Sequence, residues 1–317
     1  MSKPRYLIAS DFDDTLFRTS KPSPTGITIQ KAYVQGFDDI FGEGTGEWFF
    51  SRNGFHGESP SQIIKTFLIT TNGRHAKNAT HTYQEQNGNF PRIIPESRDG
   101  TIYWDKENPQ TTLTSMLVIS KLGYLLQEIG TRDQHGNPWP LPCEGVLDFF
   151  RALGDFKEKG VPIDFAIISS GHEAFIRKAL EVWNIPQPNI LVTEDDVRVR
   201  QFPQDAENKF KPGVFPVALA HFKWLKDQRI PVSKETGSET RTRIMHIGDN
   251  HTKDLVMAHR SGIKSNLLFP GTSWQSITDA LTANRDLLDG RPFAEVLSAK
   301  RNCLETHVQA SSGKERR

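Results

Sequence analysis

Three aspartates stand within four positions near the start of the chain, directly after a short apolar run. They are Asp11, Asp13 and Asp14 in the segment LIASDFDDTLFR, residues 7–18. A carboxylate can attack phosphorus as a nucleophile, and a second carboxylate two residues away can transfer a proton. At an extended strand end positions 11 and 13 share one face and position 14 points away, so Asp14 is interpreted as a solvated turn residue. Asp11 and Asp13 are therefore the candidate catalytic pair.

Polar side chains also follow two later apolar runs and precede one predicted helix. The segment SSGH (169–172) contains Ser169, the segment GDNHTKD spans 248–254, and Lys211 lies in KFKPG. In an open parallel sheet, ligands bind outside the carboxyl ends of the strands, so these groups are expected to converge there. A lysine and a small hydroxyl would hold the equatorial oxygens of a phosphoryl group.

This convergence would gather the carboxylates of Asp11, Asp13, Asp249 and Asp254 at one edge of the sheet. Such a cluster repels itself unless a divalent cation neutralises it. Oxygen ligands without His or Cys favour Mg²⁺, which keeps positions open for water and a substrate phosphate. The sequence therefore predicts Mg²⁺ as the cofactor.

The elements that must position these groups are short buried strands alternating with helices. The apolar runs are YLIAS (6–10), IDFAIIS (163–169), NILVT (189–193), RIMHIG (243–248) and SNLLF (265–269). Apolar residues at helical spacing occupy 144–159, 172–183 and 217–228. This alternation predicts an α/β fold, a Rossmann-like open parallel sheet with helices on both faces.

A long segment interrupts the alternation between the first strand and the helix at 144. Helical patterns occur within it at 27–41, from Pro60 onward and at 112–129, whereas 71–111 is polar and is left open as short strands and loops or a mobile stretch. Ser59 precedes Pro60 as a candidate N-cap. In WFFSRNGFHGES (48–59), Trp48, Phe49 and Phe50 are interpreted as core of the inserted region, and the alternative is that this segment contacts the substrate.

These patterns predict three regions. Residues 1–17 and 142–300 would form a catalytic core, residues 18–141 an inserted, mainly helical cap domain, and residues 301–317 a disordered tail.

The segments DFDDTL, IISSG, KPG and GDNHTKD resemble, in order, the four motifs of the haloacid dehalogenase-like (HAD) phosphohydrolase superfamily. The resemblance covers roughly residues 1–17 and 142–270, a little under half of the chain. It implies a phosphatase with an aspartyl-phosphate intermediate. An insertion after the first strand is similar to the cap of that family, which closes over the site and selects the substrate.

The resemblance also implies a role for each matching residue. Asp11 would be the nucleophile and a metal ligand, and Asp13 the general acid and base, with its backbone carbonyl on the metal. Ser169 would bind the phosphoryl group, and Lys211 would steady Asp11 and the phosphoryl charge. In the fourth motif, GDNHTKD, the resemblance implies that Asp249 is a metal ligand. It also implies that Asp254 supports the metal, either directly or through a water molecule.

Several of these residues have structural alternatives in the sequence. Ser169 would also serve as a helix N-cap and competes with Ser170, and Lys211 competes with Lys209. Asp254 would serve equally well as a helix cap. His172 and His251 flank the motifs and are interpreted as polar loop residues.

Composition narrows the class of substrate. The 317 residues include 39 Lys and Arg against 38 Asp and Glu, which gives a net charge of +1. This balance argues against nucleic-acid and membrane partners and favours a small phosphorylated metabolite. The chain has no apolar run long enough to span a membrane, and its two cysteines form no spaced motif, so a cytoplasmic location is predicted. The oligomeric state is left open.

The sequence therefore predicts a Mg²⁺-dependent phosphatase that hydrolyses a small phosphomonoester through an aspartyl-phosphate. Three alternatives stay open at this point. They are a phosphotransferase or phosphomutase that uses the same intermediate, a nucleic-acid 3′-phosphatase, and a non-catalytic binding protein with the HAD fold.

Overall fold

The computed structural model describes residues 5–54, 60–73, 109–199, 211–268 and 273–298. The predictions for Ser59, for the tail after 300 and for most of the polar stretch 71–111 fall outside these residues. The chain forms two compact units. The first unit comprises Met1–Arg18, Leu141–Glu173 and Asn184–Arg317, and the second comprises Thr19–Pro140 and Ala174–Trp183.

Five parallel strands form one sheet in the first unit, with the order β3-β2-β1-β4-β5. Their bounds are β1 Tyr6–Ser10, β2 Ile163–Ile168, β3 Ile190–Val192, β4 Ile244–Gly248 and β5 Ser265–Leu268. The strands β1 and β4 are buried along their whole length, as the apolar runs predict for a parallel sheet. The α/β class with a Rossmann-like open parallel sheet is thereby confirmed.

Twelve α-helices are present in the described residues. In chain order they are α1 Ile29–Phe41, α2 Thr45–Asn53, α3 Pro60–Thr70, α4 Pro109–Glu128, α5 Val146–Glu158, α6 Glu173–Val182, α7 Glu194–Val199, α8 Phe215–Asp227, α9 Lys234–Arg241, α10 Val256–Arg260, α11 Trp274–Ala283 and α12 Phe293–Ser298. A π-helical turn, His251–Leu255, leads into α10, and a 3₁₀ turn, Arg285–Leu287, follows α11. None of the helices in the part of the chain that the structure describes has the length and apolar content that a membrane span needs.

The register of the sheet sets where each strand ends. Ser10, the last residue of β1, lies opposite Ile167 of β2 and Ile247 of β4. The residues that follow these three strands therefore leave the sheet at one edge, which is where the candidate site is built.

The second unit has its own apolar core, formed by residues of α1, α2, α3 and α4. Phe37 stacks on Phe49 with ring centroids 5.1 Å apart, and the ring of Phe67 meets both edge-on. Phe49 and Phe50 are buried, so the segment WFF at 48–50 contributes to this core as interpreted from the sequence. The helix α6 lies almost wholly in the second unit, whereas the predicted boundaries assign it to the catalytic core. The division into catalytic core and cap stays a prediction.

A buried histidine in α8 predicts acid sensitivity of the fold. The Nε2 atom of His221 lies 2.7 Å from Thr240 Oγ1, and burial lowers the pKa of His221 to about 4. Between this pKa and the ordinary histidine value of 6.5 the folded state binds fewer protons than the unfolded state, so lowering the pH favours unfolding. The stability that neutral His221 contributes is therefore complete above about pH 6.5 and is lost as the pH falls toward 4. From pH 7 to pH 5, wild type should lose about 2 kcal/mol more unfolding free energy than His221→Gln. Urea unfolding of both proteins at the two pH values measures this, and parallel losses would contradict it.

Candidate active site

The candidate site begins where β1, β2 and β4 end. The amide of Asp11 donates to Ile247 O at 2.8 Å, and the amide of Ser169 donates to Val192 O at 2.9 Å. These bonds extend the sheet ladder by one residue on each strand, so both residues are held at the edge although they lie just outside the strands. Asp249 follows Gly248 at the end of β4 in the same way.

Lys211 joins two of the predicted carboxylates directly. Its Nζ atom donates to Asp11 Oδ1 at 2.7 Å and to Asp254 Oδ1 at 2.6 Å. The side chains of Lys211, Asp11 and Asp254 are 3%, 12% and 1% exposed, so the ion pairs are almost dry. Removing Lys211 would leave two buried carboxylates without their shared cation, and losing a partner of a buried ion pair typically costs about 3–5 kcal/mol. The structure thus brings together residues from three distant parts of the chain.

Three carboxylates form the candidate metal centre. Each of Asp11, Asp249 and Asp254 has an oxygen within 4.8 Å of the others. Asp13 is not part of this cluster, but its charge is close enough to raise the pKa of Asp11. By the resemblance, Asp13 would bind the metal through its backbone carbonyl and not through its carboxylate, and this role stays a prediction.

The protonation behaviour of this cluster fits a divalent cation. Burial raises the pKa of Asp11 well above its ordinary value, even though the Lys211 ammonium opposes this. Burial also raises the pKa of Asp249 to about 6, and the charge of Asp254 adds to the effect. For Asp254 burial acts in the same sense and is the largest single influence, but Lys211 and His246 together outweigh it and lower the pKa. The pKa values of Asp11 and Asp249 thus stay raised although the Lys211 ammonium contacts the cluster, and the all-oxygen donor set suits Mg²⁺.

Asp254 is positioned by a tight turn after β4. The amide of Asn250 donates to Asp254 Oδ2 at 3.2 Å, and the amide of Asp254 donates to Asn250 O at 2.7 Å. The Asn250 side chain accepts from the amide of Lys253 and so caps the π-helical turn itself. Asn250 is therefore the N-cap of this turn, and Asp254 contributes to the cap by accepting from the N-cap amide, in addition to its bond with Lys211.

Gly248 makes room for this carboxylate. A Cβ atom at position 248 would stand 2.3 Å from Asp254 Cβ and 2.4 Å from its Cγ. Non-bonded carbon atoms do not approach so closely, so only glycine permits Asp254 to pack against the end of β4.

Ser169 is buried at the end of β2, and its Oγ accepts from the Gly171 amide at 2.9 Å. It does not cap α6, because the first amide of that helix, Glu173 N, donates to Asp195 Oδ2 at 3.0 Å. Asp195 Oδ1 also lies 3.0 Å from His172 Nδ1. The buried His172 therefore joins the SSGH loop to the start of α7, which agrees with its interpretation as a loop residue. The role of Ser169 in binding the phosphoryl group stays a prediction.

Sequence reasoning missed several residues around this site. Asn250 and Lys253 lie inside a recognised motif, but the spacing of its aspartates does not indicate what the intervening residues do. The charges of Asp11 and Asp13 act on Lys253, whose pKa is lowered by burial. His246 lies within β4, buried, with Nε2 3.7 Å from Asp254 Oδ1, and burial lowers its pKa as well. An apolar strand pattern gives no reason to single it out.

Comparisons with known proteins give likenesses in fold only. No protein-family model matches the chain, and no curated protein matches it. Among solved structures, a HAD-superfamily hydrolase of subfamily IA from Geobacter sulfurreducens is 12% identical with a TM-score of 0.41, covering 89% of this chain and 100% of that one. The protein CbbY from Rhodobacter sphaeroides, in complex with phosphate, is 13% identical with a TM-score of 0.39, covering 84% and 87%.

A third solved structure, a HAD phosphatase from Thermococcus onnurineus, is 12% identical with a TM-score of 0.38 and covers 91% of this chain and 99% of its own. Each of these TM-scores lies below 0.5. The function proposed below therefore rests on the residues and geometry of this chain.

Proposed function

We propose that this chain is a Mg²⁺-dependent phosphatase that hydrolyses a small phosphomonoester through an aspartyl-phosphate on Asp11. The observation that carries the proposal is the position of Asp11. It stands at the end of β1 with Lys211 Nζ at 2.7 Å, and its carboxylate lies within 4.8 Å of those of Asp249 and Asp254. A nucleophile, a cation and a metal-ligating pair are thus assembled around one carboxylate.

In the first step, a carboxylate oxygen of Asp11 attacks phosphorus, and the bond from phosphorus to the ester oxygen breaks. The electron pair of that bond stays on the leaving oxygen, which takes a proton from Asp13. The position of Asp13, two residues beyond Asp11, suits this general-acid role. Lys211 favours the ionised form of Asp11 and balances charge on the phosphoryl oxygens, with Ser169 as a further hydrogen-bond donor.

In the second step, water attacks the phosphorus of the aspartyl-phosphate and gives a proton to Asp13. The bond between phosphorus and the Asp11 oxygen breaks, which releases inorganic phosphate and restores both carboxyl groups. One residue thus serves as acid in the first step and as base in the second, so the cycle returns to its starting protonation state.

Asp11, Asp249 and Asp254, with the backbone carbonyl of Asp13, would hold the Mg²⁺ ion. When bound, the ion supplies positive charge that lowers the carboxylate repulsion and stabilises charge developing on the phosphoryl group. Asp249 is oriented for this by Thr15, whose Oγ1 donates to Asp249 Oδ1 at 3.3 Å.

The substrate class follows from charge. The net charge of +1 is too balanced to favour a polynucleotide or an anionic membrane, so a small phosphorylated metabolite is proposed as the substrate. Selection among such metabolites is assigned to the predicted cap, residues 18–141. The cytoplasmic location stays a prediction.

A phosphate-release screen over phosphorylated metabolites tests the proposal. Release is expected for at least one small phosphomonoester with Mg²⁺ present, and EDTA should reduce it at least about a hundredfold because the carboxylates then lose their counter-ion. Excess Mg²⁺ added after EDTA serves as the control and should restore the rate. Turnover that EDTA leaves unchanged would contradict the metal assignment, and no release from any substrate would favour a non-catalytic binding protein.

A further inference from the structure

A buried tryptophan far along the chain contacts the loop that carries the aspartates. The indole Nε1 of Trp274, the first residue of α11, donates to the backbone carbonyl of Thr15 at 2.8 Å. Both residues are fully buried. The Thr15 carbonyl lies where water does not reach it, so the indole satisfies an acceptor that would be costly to leave unpaired.

Thr15 connects this contact to the candidate metal centre. Its backbone carbonyl accepts from Trp274, and its side-chain Oγ1 donates to Asp249 Oδ1 at 3.3 Å. Because one residue makes both bonds, a displacement of its backbone also displaces its hydroxyl. The two hydrogen bonds therefore link α11 to a predicted metal ligand in series.

The loop around Thr15 is tightly folded, and it is also tethered to the segment before α5, where the amide of Cys143 donates to Leu16 O at 2.8 Å. The amides of Leu16 and Phe17 both donate to Phe12 O, at 3.0 and 3.1 Å, and the rings of Phe12 and Phe17 stack at 5.0 Å. These contacts hold the loop together internally, and the bond from Trp274 holds it at the residue whose hydroxyl donates to Asp249.

The indole itself is held by α5. The ring of Phe149 lies 4.5 Å from that of Trp274, centroid to centroid. At the start of α5, a Cβ on Gly145 would stand 3.1 Å from Trp274 Cβ and 2.9 Å from Gln275 N. Gly145 also has φ of +80°, a conformation that favours glycine. The two helices approach closely because this position carries no side chain, and the indole has one well-defined position.

The geometry points to Trp274 as a positioning residue for catalysis: through Thr15 it orients the carboxylate of Asp249 toward the divalent cation. This inference rests on the proposed Mg²⁺ site. It extends that site by a residue that lies outside the four motifs and 259 positions from Thr15 in the chain.

Metal affinity, measured without turnover, tests the inference. Mn²⁺ binding to the purified full-length chain is followed by electron paramagnetic resonance, with Mg²⁺ as competitor. Trp274→Phe keeps an aromatic ring but removes the donor, and Thr15→Val removes the donor to Asp249 at nearly constant volume. Each variant is expected to weaken Mn²⁺ binding roughly 3- to 30-fold, as losses of outer-shell hydrogen bonds to metal ligands do.

The double variant separates positioning from a general loss of stability. If Trp274 acts through Thr15, the pair Trp274→Phe and Thr15→Val should weaken Mn²⁺ binding no more than Thr15→Val alone. Ile277→Val is the matched control, because it removes a buried methylene from the same helix and touches neither hydrogen bond. Its Mn²⁺ affinity should equal that of wild type, although its unfolding midpoint is lowered.

The outcomes distinguish the inference from the function on which it rests. If wild type binds Mn²⁺ and Trp274→Phe binds it equally well, the inference is overturned and the proposed function stands. Multiplicative losses in the double variant, or an equal loss in Ile277→Val, would also overturn it, since Trp274 would then act on the fold alone. If wild type binds no Mn²⁺, the proposed metal site fails and the inference fails with it.

Discussion

Replacing Asp11 with Asn is expected to lower kcat for phosphate release at least about a thousandfold, because the amide cannot form the aspartyl-phosphate. The fold should persist. Lys211 keeps its bond to Asp254 at 2.6 Å. The neutral Asn side chain also avoids the cost of burying a charged carboxylate, which is the cause of the raised pKa of Asp11. Steady-state kinetics of the wild type and the variant, with circular dichroism to confirm folding, measure the effect.

Asp14→Asn is the matched control for this substitution. It removes the same charge three positions along, at a residue with φ of +51°, a conformation that Asn tolerates well. Its kcat should stay within about threefold of wild type, because Asp14 makes no proposed contact with the reacting phosphorus. Equal losses in the two variants would assign the effect to the charge of the loop, and an active Asp11→Asn variant would remove the nucleophile from the account.

Gly248→Ala is expected to damage both stability and activity. The new Cβ would stand 2.3 Å from Asp254 Cβ, so Asp254 must move and Lys211 loses one of its two carboxylate partners. Overpacking and a weakened buried ion pair together should lower the free energy of unfolding by about 2–4 kcal/mol. The displaced carboxylate should also reduce kcat/KM at least about a hundredfold, as disturbed metal ligation does.

Gly154→Ala provides the comparison for this change. Gly154 lies exposed within α5, and a Cβ there would meet nothing within 4 Å. The substitution should raise the free energy of unfolding by about 0.5–1 kcal/mol, because alanine favours helix, and leave kcat/KM unchanged. Denaturant unfolding of both variants measures the free energy of unfolding, and steady-state kinetics measure kcat/KM. A Gly248→Ala protein as stable and active as wild type would show that Asp254 does not depend on this close approach.

The sheet could be predicted from the sequence because its strands are buried on both faces. Such strands appear in the sequence as short continuous apolar runs, and the predicted bounds of all five lie within one residue of the observed ones. The helices of low apolar content were missed, as with α9, whose sequence KETGSETR carries almost no apolar residue. Its start depends instead on Ser233, which forms a capping box with Thr236.

The sequence predicts in part which residues form the candidate site, but it does not predict the contacts between them. Motif order brings Asp11, Lys211 and Asp254 to one edge of the sheet, and the structure places them in hydrogen-bonding contact. Spacing along the chain does not reveal that one ammonium bridges two carboxylates, since that depends on three-dimensional packing. The contact between Trp274 and Thr15 joins positions 259 apart, and no local pattern indicates it.

The central claim is that the phosphoryl group is transferred to Asp11, and trapping the intermediate tests it most directly. A substrate found in the phosphate-release screen is mixed with excess enzyme and Mg²⁺, quenched in acid within one turnover and reduced with borohydride. This treatment converts an acyl phosphate to an alcohol, which peptide mass spectrometry then locates. The account predicts homoserine at position 11, and none in the Asp11→Asn variant. Homoserine at another aspartate, or none at all while phosphate is released, would contradict it.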